Sequence, residues 1–307
     1  MSTLLTFETF VHAFAGASGS ALSTCVFYPL DLAKTRLQVD TQTKDVQPVY
    51  QILSKIIREE GFSSLYTGFA PVVFSQYCSN FIYFYAFNGL RMLNRVKQLP
   101  FNQSISDLVV GMIAGSVNVV ITTPLWVAST RLRLQGMKVL DYNRKLIDRK
   151  PYLNMWDCFR RIAKEEGVFS LWNSLGPSLM LVTNPAIQFM SYEAVKRYIR
   201  RNTGGVEISA LTIFLMGAIS KAIATVLTYP IQIVQARLRH NASVDDNSKR
   251  RRTVINIFRE ILRHEGFRGL FKGLETKLLQ TVLSAALMFT IYEKIIAFVF
   301  WVTRIKK

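Results

Sequence analysis

Histidine and cysteine are scarce in this sequence, with three of each. Cys25, Cys78 and Cys158 are widely separated and odd in number, which argues against a disulfide framework and fits a reducing compartment. His12, His240 and His264 are scattered, and no grouping of His, Cys, Asp or Glu has the spacing of a metal site or a catalytic constellation. Neither an enzyme, a metal centre nor a bound prosthetic group is therefore expected. Acidic residues are also few: 20 Asp and Glu stand against 38 Lys and Arg, a formal net charge of +18. Such an excess points to nucleic acid, an anionic membrane surface or an anionic substrate. With no zinc spacing and no separate basic domain, nucleic acid is not expected as a partner. The first ten residues, MSTLLTFETF, lack a basic n-region and an Arg-rich presequence, and the final RIKK is not a Ser-Lys-Leu address. Sorting information is expected to lie within the chain.

What is present is a set of long stretches without Asp, Glu, Lys or Arg: Thr9 to Leu30, Phe69 to Leu90, Leu108 to Thr130, Trp172 to Tyr192 and Leu278 to Tyr292. A further stretch, Ile208 to Ala236, is interrupted only by Lys221. A membrane-spanning helix needs about 20 predominantly apolar residues, and backbone polar groups in hydrocarbon must be satisfied within a helix or closed barrel. The pattern predicts an all-α membrane protein with six transmembrane helices. Between odd and even spans lie polar segments such as YQILSKIIREEG, where Ile52, Leu53, Ile56 and Ile57 form one stripe, as in a short amphipathic helix on the membrane surface.

The spans belong to an internal repeat. PLDLAKTR at Pro29 recurs as PLWVASTR at Pro124 and PIQIVQAR at Pro230, each closing an odd span. EGFSSLYTG at Glu60 recurs as EGVFSLWNS at Glu166 and EGFRGLFKG at Glu265. FNGLR, YEAVK and YEKII close the even spans. Three signatures, three times in one order, divide the chain into repeats at 1–99, 100–203 and 204–307, stacked with pseudo-threefold symmetry. Proline in a span removes a backbone donor and kinks the helix, so three prolines would draw the odd helices together.

These motifs resemble those of the mitochondrial carrier family over essentially the whole chain. The resemblance implies a carrier that alternates access to one central site between two gates, with the long loops facing the organelle interior. Stretches such as NFIYFYAFN, TTPLWVASTRLRLQG and GLETKLLQTVLSAALMF are most similar to a peroxisomal branch of that family, whose cargo is adenine nucleotides and the cofactors coenzyme A, FAD and NAD. A peroxisomal membrane transporter of ATP, ADP, AMP and those cofactors, supporting fatty-acid oxidation, is expected. The runner-up is a mitochondrial inner-membrane carrier of FAD, folate or NAD.

The family's interior gate pairs the acid of one odd helix with the base of the next. Here Pro29, Asp31, Lys34 and Arg36 match fully, but the second repeat keeps only Pro124 and Arg131, and the third keeps Pro230 and Arg237 with Gln232 and Gln235 at the charged positions. Asp31 is expected to accept from Gln235 or Gln232, and Lys34 to donate to a glutamine or Ser129. The three arginines either guide anions or anchor spans. At the outer gate, Asn88, Arg91, Glu193, Lys196 and Glu293 allow Arg91–Glu193 and Lys196–Glu293 pairs. With both gates partial, exchange and uniport remain open.

The family's contact points fall on Ser75 and Gln76, Met180 and Leu181, and Gln280 and Thr281, with Ser79, Tyr83, Asn184, Gln188 and Ser284 along the same stripes. Polar residues inside spans are costly unless they face a wet cavity or a partner helix. Met180 and Leu181 offer an apolar surface for an adenine ring, Tyr83 a stacking face, and Asn184 and Gln188 polar groups for its edges. Lys221 and Lys277 are the candidate phosphate-binding cations. Lys272 in the third FKG is the residue that, in relatives, adjoins a cardiolipin site. The basic clusters KRYIRR and KRRR are either membrane anchors or signals for a peroxisomal import receptor. The expected partners are thus substrate, bilayer and receptor, for a monomer.

Overall fold

The computed structural model describes residues 7–40, 48–97, 103–135, 151–202, 210–240 and 253–303, and among these there is no strand. The helices are α1 (Phe7–Val39), α2 (Val49–Glu60), α3 (Phe69–Lys97), α4 (Gln103–Arg133), α5 (Met155–Glu165), α6 (Leu175–Met180), α7 (Asn184–Asn202), α8 (Ala210–His240), α9 (Val254–His264), α10 (Gly266–Gly269) and α11 (Leu274–Thr303). The six expected spans are α1, α3, α4, α6 with α7, α8 and α11. By length and composition alone, Ser106–Arg133 and Thr212–His240 are apolar enough to cross a bilayer.

The short helices follow the amphipathic pattern. Each buries one i, i+4 pair: Ile52 and Ile56 in α2, Cys158 and Ile162 in α5, Ile257 and Ile261 in α9. With the adjoining odd helix and the EG loop these form three equivalent small cores, Tyr28, Leu32 and Leu65 in the first, Val127, Ala128 and Leu171 in the second, Tyr229, Ile233 and Leu270 in the third. The α5 helix is capped by Asn154, whose side chain accepts from the Asp157 amide.

All three prolines sit inside continuous helices. Pro124 has no N–H for the Val120 carbonyl four residues back. That carbonyl instead accepts from the Trp172 indole at 2.8 Å. Beside the other two prolines, the Tyr28 hydroxyl donates to the Thr67 carbonyl at 2.7 Å and the Tyr229 hydroxyl to the Lys272 carbonyl at 2.9 Å. Each proline-bearing helix is thereby tied to the end of its own EG loop. In the second repeat the even helix is broken: Leu181–Thr183 forms a 3₁₀ turn between α6 and α7. Pro185 cannot donate to the Leu181 carbonyl, which accepts instead from the Asn184 amide in the tighter 3₁₀ pattern, while the Thr183 hydroxyl donates to the Met180 carbonyl at 2.7 Å.

The closest helix pairs are α1 with α11, α3 with α4 and α7 with α8, so each even helix packs chiefly on the next repeat. At the end bearing the long connections, the odd helices meet: Val39, Leu134 and Ala236 form a shared buried apolar cluster.

Candidate functional site

The arginines of the first signature are buried and grip the glutamates of the second. Arg36 binds both oxygens of Glu60 at 2.5 and 2.8 Å, Arg131 both of Glu166 at 2.7 Å, and Arg237 both of Glu265 at 2.6 and 2.9 Å. The bidentate fork is the strongest form of this pairing. Two of the three also cross between repeats. Arg131 Nε donates to the Arg239 carbonyl at 3.3 Å, and Arg237 Nε to the Gln38 carbonyl at 2.9 Å. Arg36 Nε is buried with no hydrogen-bond partner, so the first repeat does not reach the second this way. Of the two readings left open for these residues, the geometry is that of an anchor.

Lys272 is buried as well. Its ammonium donates to the Asp40 carbonyl at 2.5 Å and lies 3.5 Å from the Asp40 carboxylate. Burial pulls its pKa below the ordinary lysine value, while Asp40 opposes that shift. The side chain that in relatives adjoins a lipid site here joins the third repeat to the first.

Asp31 has ionic partners rather than the expected glutamines. It holds Lys34 at 2.5 Å and Arg133, from the second repeat, at 2.6 Å, and accepts from Gln280 at 3.2 Å. Gln232 donates to Thr228 within its own helix, and Gln235 crosses to Ser178 at 2.7 Å. Lys34 therefore meets neither a glutamine nor Ser129. Gly68 makes the Arg133 link possible: at φ 73°, it lies so near α4 that a Cβ would stand 2.7 Å from the Arg133 Cα.

At the opposite end, Arg91 approaches Asp107 at 3.4 Å, not Glu193, and Lys196 lies 3.6 Å from Glu193 on its own helix. Asn88 is exposed, and the Glu293 side chain falls outside the described residues. Among the described residues no ion pair at this end joins one even helix to another.

Among the described residues, two cavities between the helices bear on these side chains. The larger, about 1020 Å³, is bounded by α1, α3, α4, α8 and α11 and has Asp31, Lys34, Arg133 and Arg239 in its wall with Gln76, Gln280 and Ser284. The smaller, about 400 Å³, lies among α3, α4, α6, α7 and α8 and is more apolar, with Tyr83, Phe87, Met112, Leu181 and Ser79 in its wall. Trp126, Gln235 and Arg239 border both. Arg239 stacks on the Trp126 ring, with 5.5 Å from guanidinium carbon to centroid.

Several expected contact residues lie elsewhere. Ser75 is fully buried in the α3–α4 seam, bonded to Ser129 at 2.5 Å and to the Pro71 carbonyl at 2.8 Å. Asn184 donates to Thr228 in the α7–α8 seam. Thr281 donates back to Lys277 within α11. Met180 is exposed and Gln188 half-buried, outside both cavity walls. Lys221 and Lys277 are also outside the walls, although Lys277 lies within electrostatic reach of Asp31, Lys34, Lys221 and Arg133. Ser75 and Asn184 thus take the alternative weighed for polar residues in spans, a bond between helices.

Two cavity residues escaped the sequence reading, Arg133 and Arg239. Each stands nine residues past its proline, where the first repeat has Gln38. The recurrence TRLQ, TRLR and ARLR, at Thr35, Thr130 and Ala236, was the signal that pointed to them.

The sequence model described as "Mitochondrial carrier protein" matches the chain three times, over residues 6–96, 101–203 and 206–301. The chain is 46% identical over 310 residues to the Mus musculus protein named "Peroxisomal membrane protein PMP34", covering 100% of this chain and 98% of that one. It is 29% identical to the "Peroxisomal nicotinamide adenine dinucleotide carrier" of Arabidopsis thaliana, over 94% of this chain and 96% of that one. It is 31% identical to the "Peroxisomal adenine nucleotide carrier 1" of the same plant, over 94% and 91% of the two chains.

Proposed function

This chain belongs to the mitochondrial carrier family, and from that premise we propose that it moves adenine-containing nucleotides and nucleotide cofactors across the peroxisomal membrane by alternating access. The substrates are ATP, ADP and AMP with coenzyme A, FAD and NAD, and the traffic supports fatty-acid oxidation inside the organelle. The observation that carries this reading is the charge of the larger cavity's wall, where Lys34, Arg133 and Arg239 stand against the single carboxylate of Asp31. A net positive wall at the closed end of a cavity concentrates anions and favours a phosphorylated ligand. The aromatic and apolar wall of the smaller cavity supplies a surface for a purine base. Named relatives that carry NAD and adenine nucleotides support the same substrate class.

In this conformation the ring of Asp31–Arg133, Arg239–Trp126 and Gln38–Tyr229 contacts closes the loop end as the interior gate. Gln76, Gln280, Ser284, Ser79, Tyr83 and Leu181 face substrate, while Lys221 and Lys277 add positive potential behind the wall. The test is reconstitution in liposomes with each nucleotide inside and outside in turn. Saturable uptake of radiolabelled ATP, AMP, coenzyme A, FAD or NAD, competed by the others, is expected. No saturable uptake of any of them would sink the reading, and flux without internal nucleotide would separate uniport from exchange.

A further inference from the structure

Among the cations at the closed end, most already have an anion. Lys34 and Arg133 share Asp31, Lys272 has Asp40, and Arg36, Arg131 and Arg237 have the EG glutamates. Arg239 differs. It borders both cavities, its Nε is buried without a hydrogen-bond partner, and among the described residues it has no ion pair. The charged group acting on it is another guanidinium, Arg133. What holds it is the face of Trp126, at the position where the first repeat has its acid, Asp31.

A half-buried cation without a counter-ion is a costly arrangement that an anion relieves. A ring face holds a guanidinium less strongly than the two oxygens of a phosphate, which match its fork. We propose that Arg239 is the anchor for the substrate's phosphate and that the phosphate draws it off Trp126, so that substrate itself releases the contact between the second and third repeats. The substrate then straddles the two cavities at Arg239, phosphate toward Lys34 and Arg133, and base toward Tyr83 and Leu181. This inference rests on the nucleotide reading above and adds to it a specificity residue and a reason why binding loosens one seam.

The experiment compares wild type with Arg239→Gln, Arg239→Lys, Trp126→Phe and Trp126→Asp, measuring ATP uptake into liposomes and the ATP-induced rise in melting temperature in detergent. Loss of the charge-assisted contact in Arg239→Gln raises the half-saturating ATP concentration roughly tenfold or more and shrinks the thermal shift, with Arg239→Lys intermediate. Trp126→Asp leaves the arginine in place but gives it a competing carboxylate, so it too weakens ATP binding, while Trp126→Phe, whose smaller ring holds the guanidinium less strongly, lowers the half-saturating ATP concentration. An Arg239→Gln protein that keeps wild-type half-saturation and thermal shift overturns the proposal, as does a Trp126→Asp protein that binds ATP normally. A wild type that responds to no nucleotide sinks the transport reading and this inference together. A responsive wild type matched by Arg239→Gln sinks this inference alone.

Discussion

Gly68 shows how much one missing methyl group positions. Its φ of 73° disfavours any side chain, and an added Cβ would strike backbone atoms of Arg133 at 2.7 and 2.9 Å. Gly273 holds the equivalent place in the third repeat, against Lys34 and Leu37 of α1, whereas the second repeat has the buried Ser174 there with φ −92°. Gly68→Ala is expected to cost about 2 kcal/mol or more from backbone strain alone and to push Arg133 away from Asp31. Thermal unfolding in detergent checks the loss, and Ser174→Ala, free of that constraint, should be milder. At this scale the sequence was partly misleading. A polar stripe in a span looks the same whether it faces water or a neighbouring helix, so Ser75 and Asn184 read like Gln76 and Gln280. Arg133 and Arg239 lie beyond the recognised octapeptide, where nothing in the sequence alone marks a cation as facing a cavity.

Each odd helix and its surface helix behave as one element through the Arg–Glu fork. The forks differ in burial: the Arg131 and Glu166 side chains are 1% and 4% exposed, Arg237 and Glu265 3% and 4%, but Glu60 is 25% exposed. Removing one member of a fully buried pair leaves an uncompensated charge, at about 3–5 kcal/mol. Glu166→Gln and Glu265→Gln should therefore lower stability strongly, and Glu60→Gln clearly less because the carboxylate end of that pair is already open to water. Equal losses at all three positions, measured by chemical or thermal unfolding, would refute the ranking. The elements themselves were legible in the sequence. Charge-free runs marked the spans, and the stripe of Ile52, Leu53, Ile56 and Ile57 marked α2. The break between α6 and α7 was not read, because its cause is the single proline Pro185, which takes the α-helical donor from the Leu181 carbonyl and leaves it to the Asn184 amide, and the run Trp172 to Tyr192 carries no charge to mark it.

At the scale of the molecule, the three repeats close together at the loop end and have no matching ion-pair ring at the other end among the described residues. Cys25 is exposed and lines the larger cavity, while Cys158 is buried in the second small core. Burial pushes the Cys158 thiol up to about 12, so it stays protonated and unreactive near neutral pH. A membrane-impermeant maleimide should label Cys25 from one side of the bilayer only, with Cys158 silent from both, as read by mass spectrometry of proteoliposomes. Labelling of Cys25 equally from both sides would contradict a single closed end. The pseudo-symmetry was legible from three motifs in constant order. The inequality of its three seams was not, since an ion pair, a stacked ring and a glutamine–tyrosine hydrogen bond become distinguishable only once the helices have met. The forked arginines carry a mechanical corollary. Because α2, α5 and α9 are bolted to the columns that converge at the loop end, those columns cannot splay without sweeping three outriggers sideways through the headgroup layer, and lateral pressure in the bilayer becomes a load on the latch.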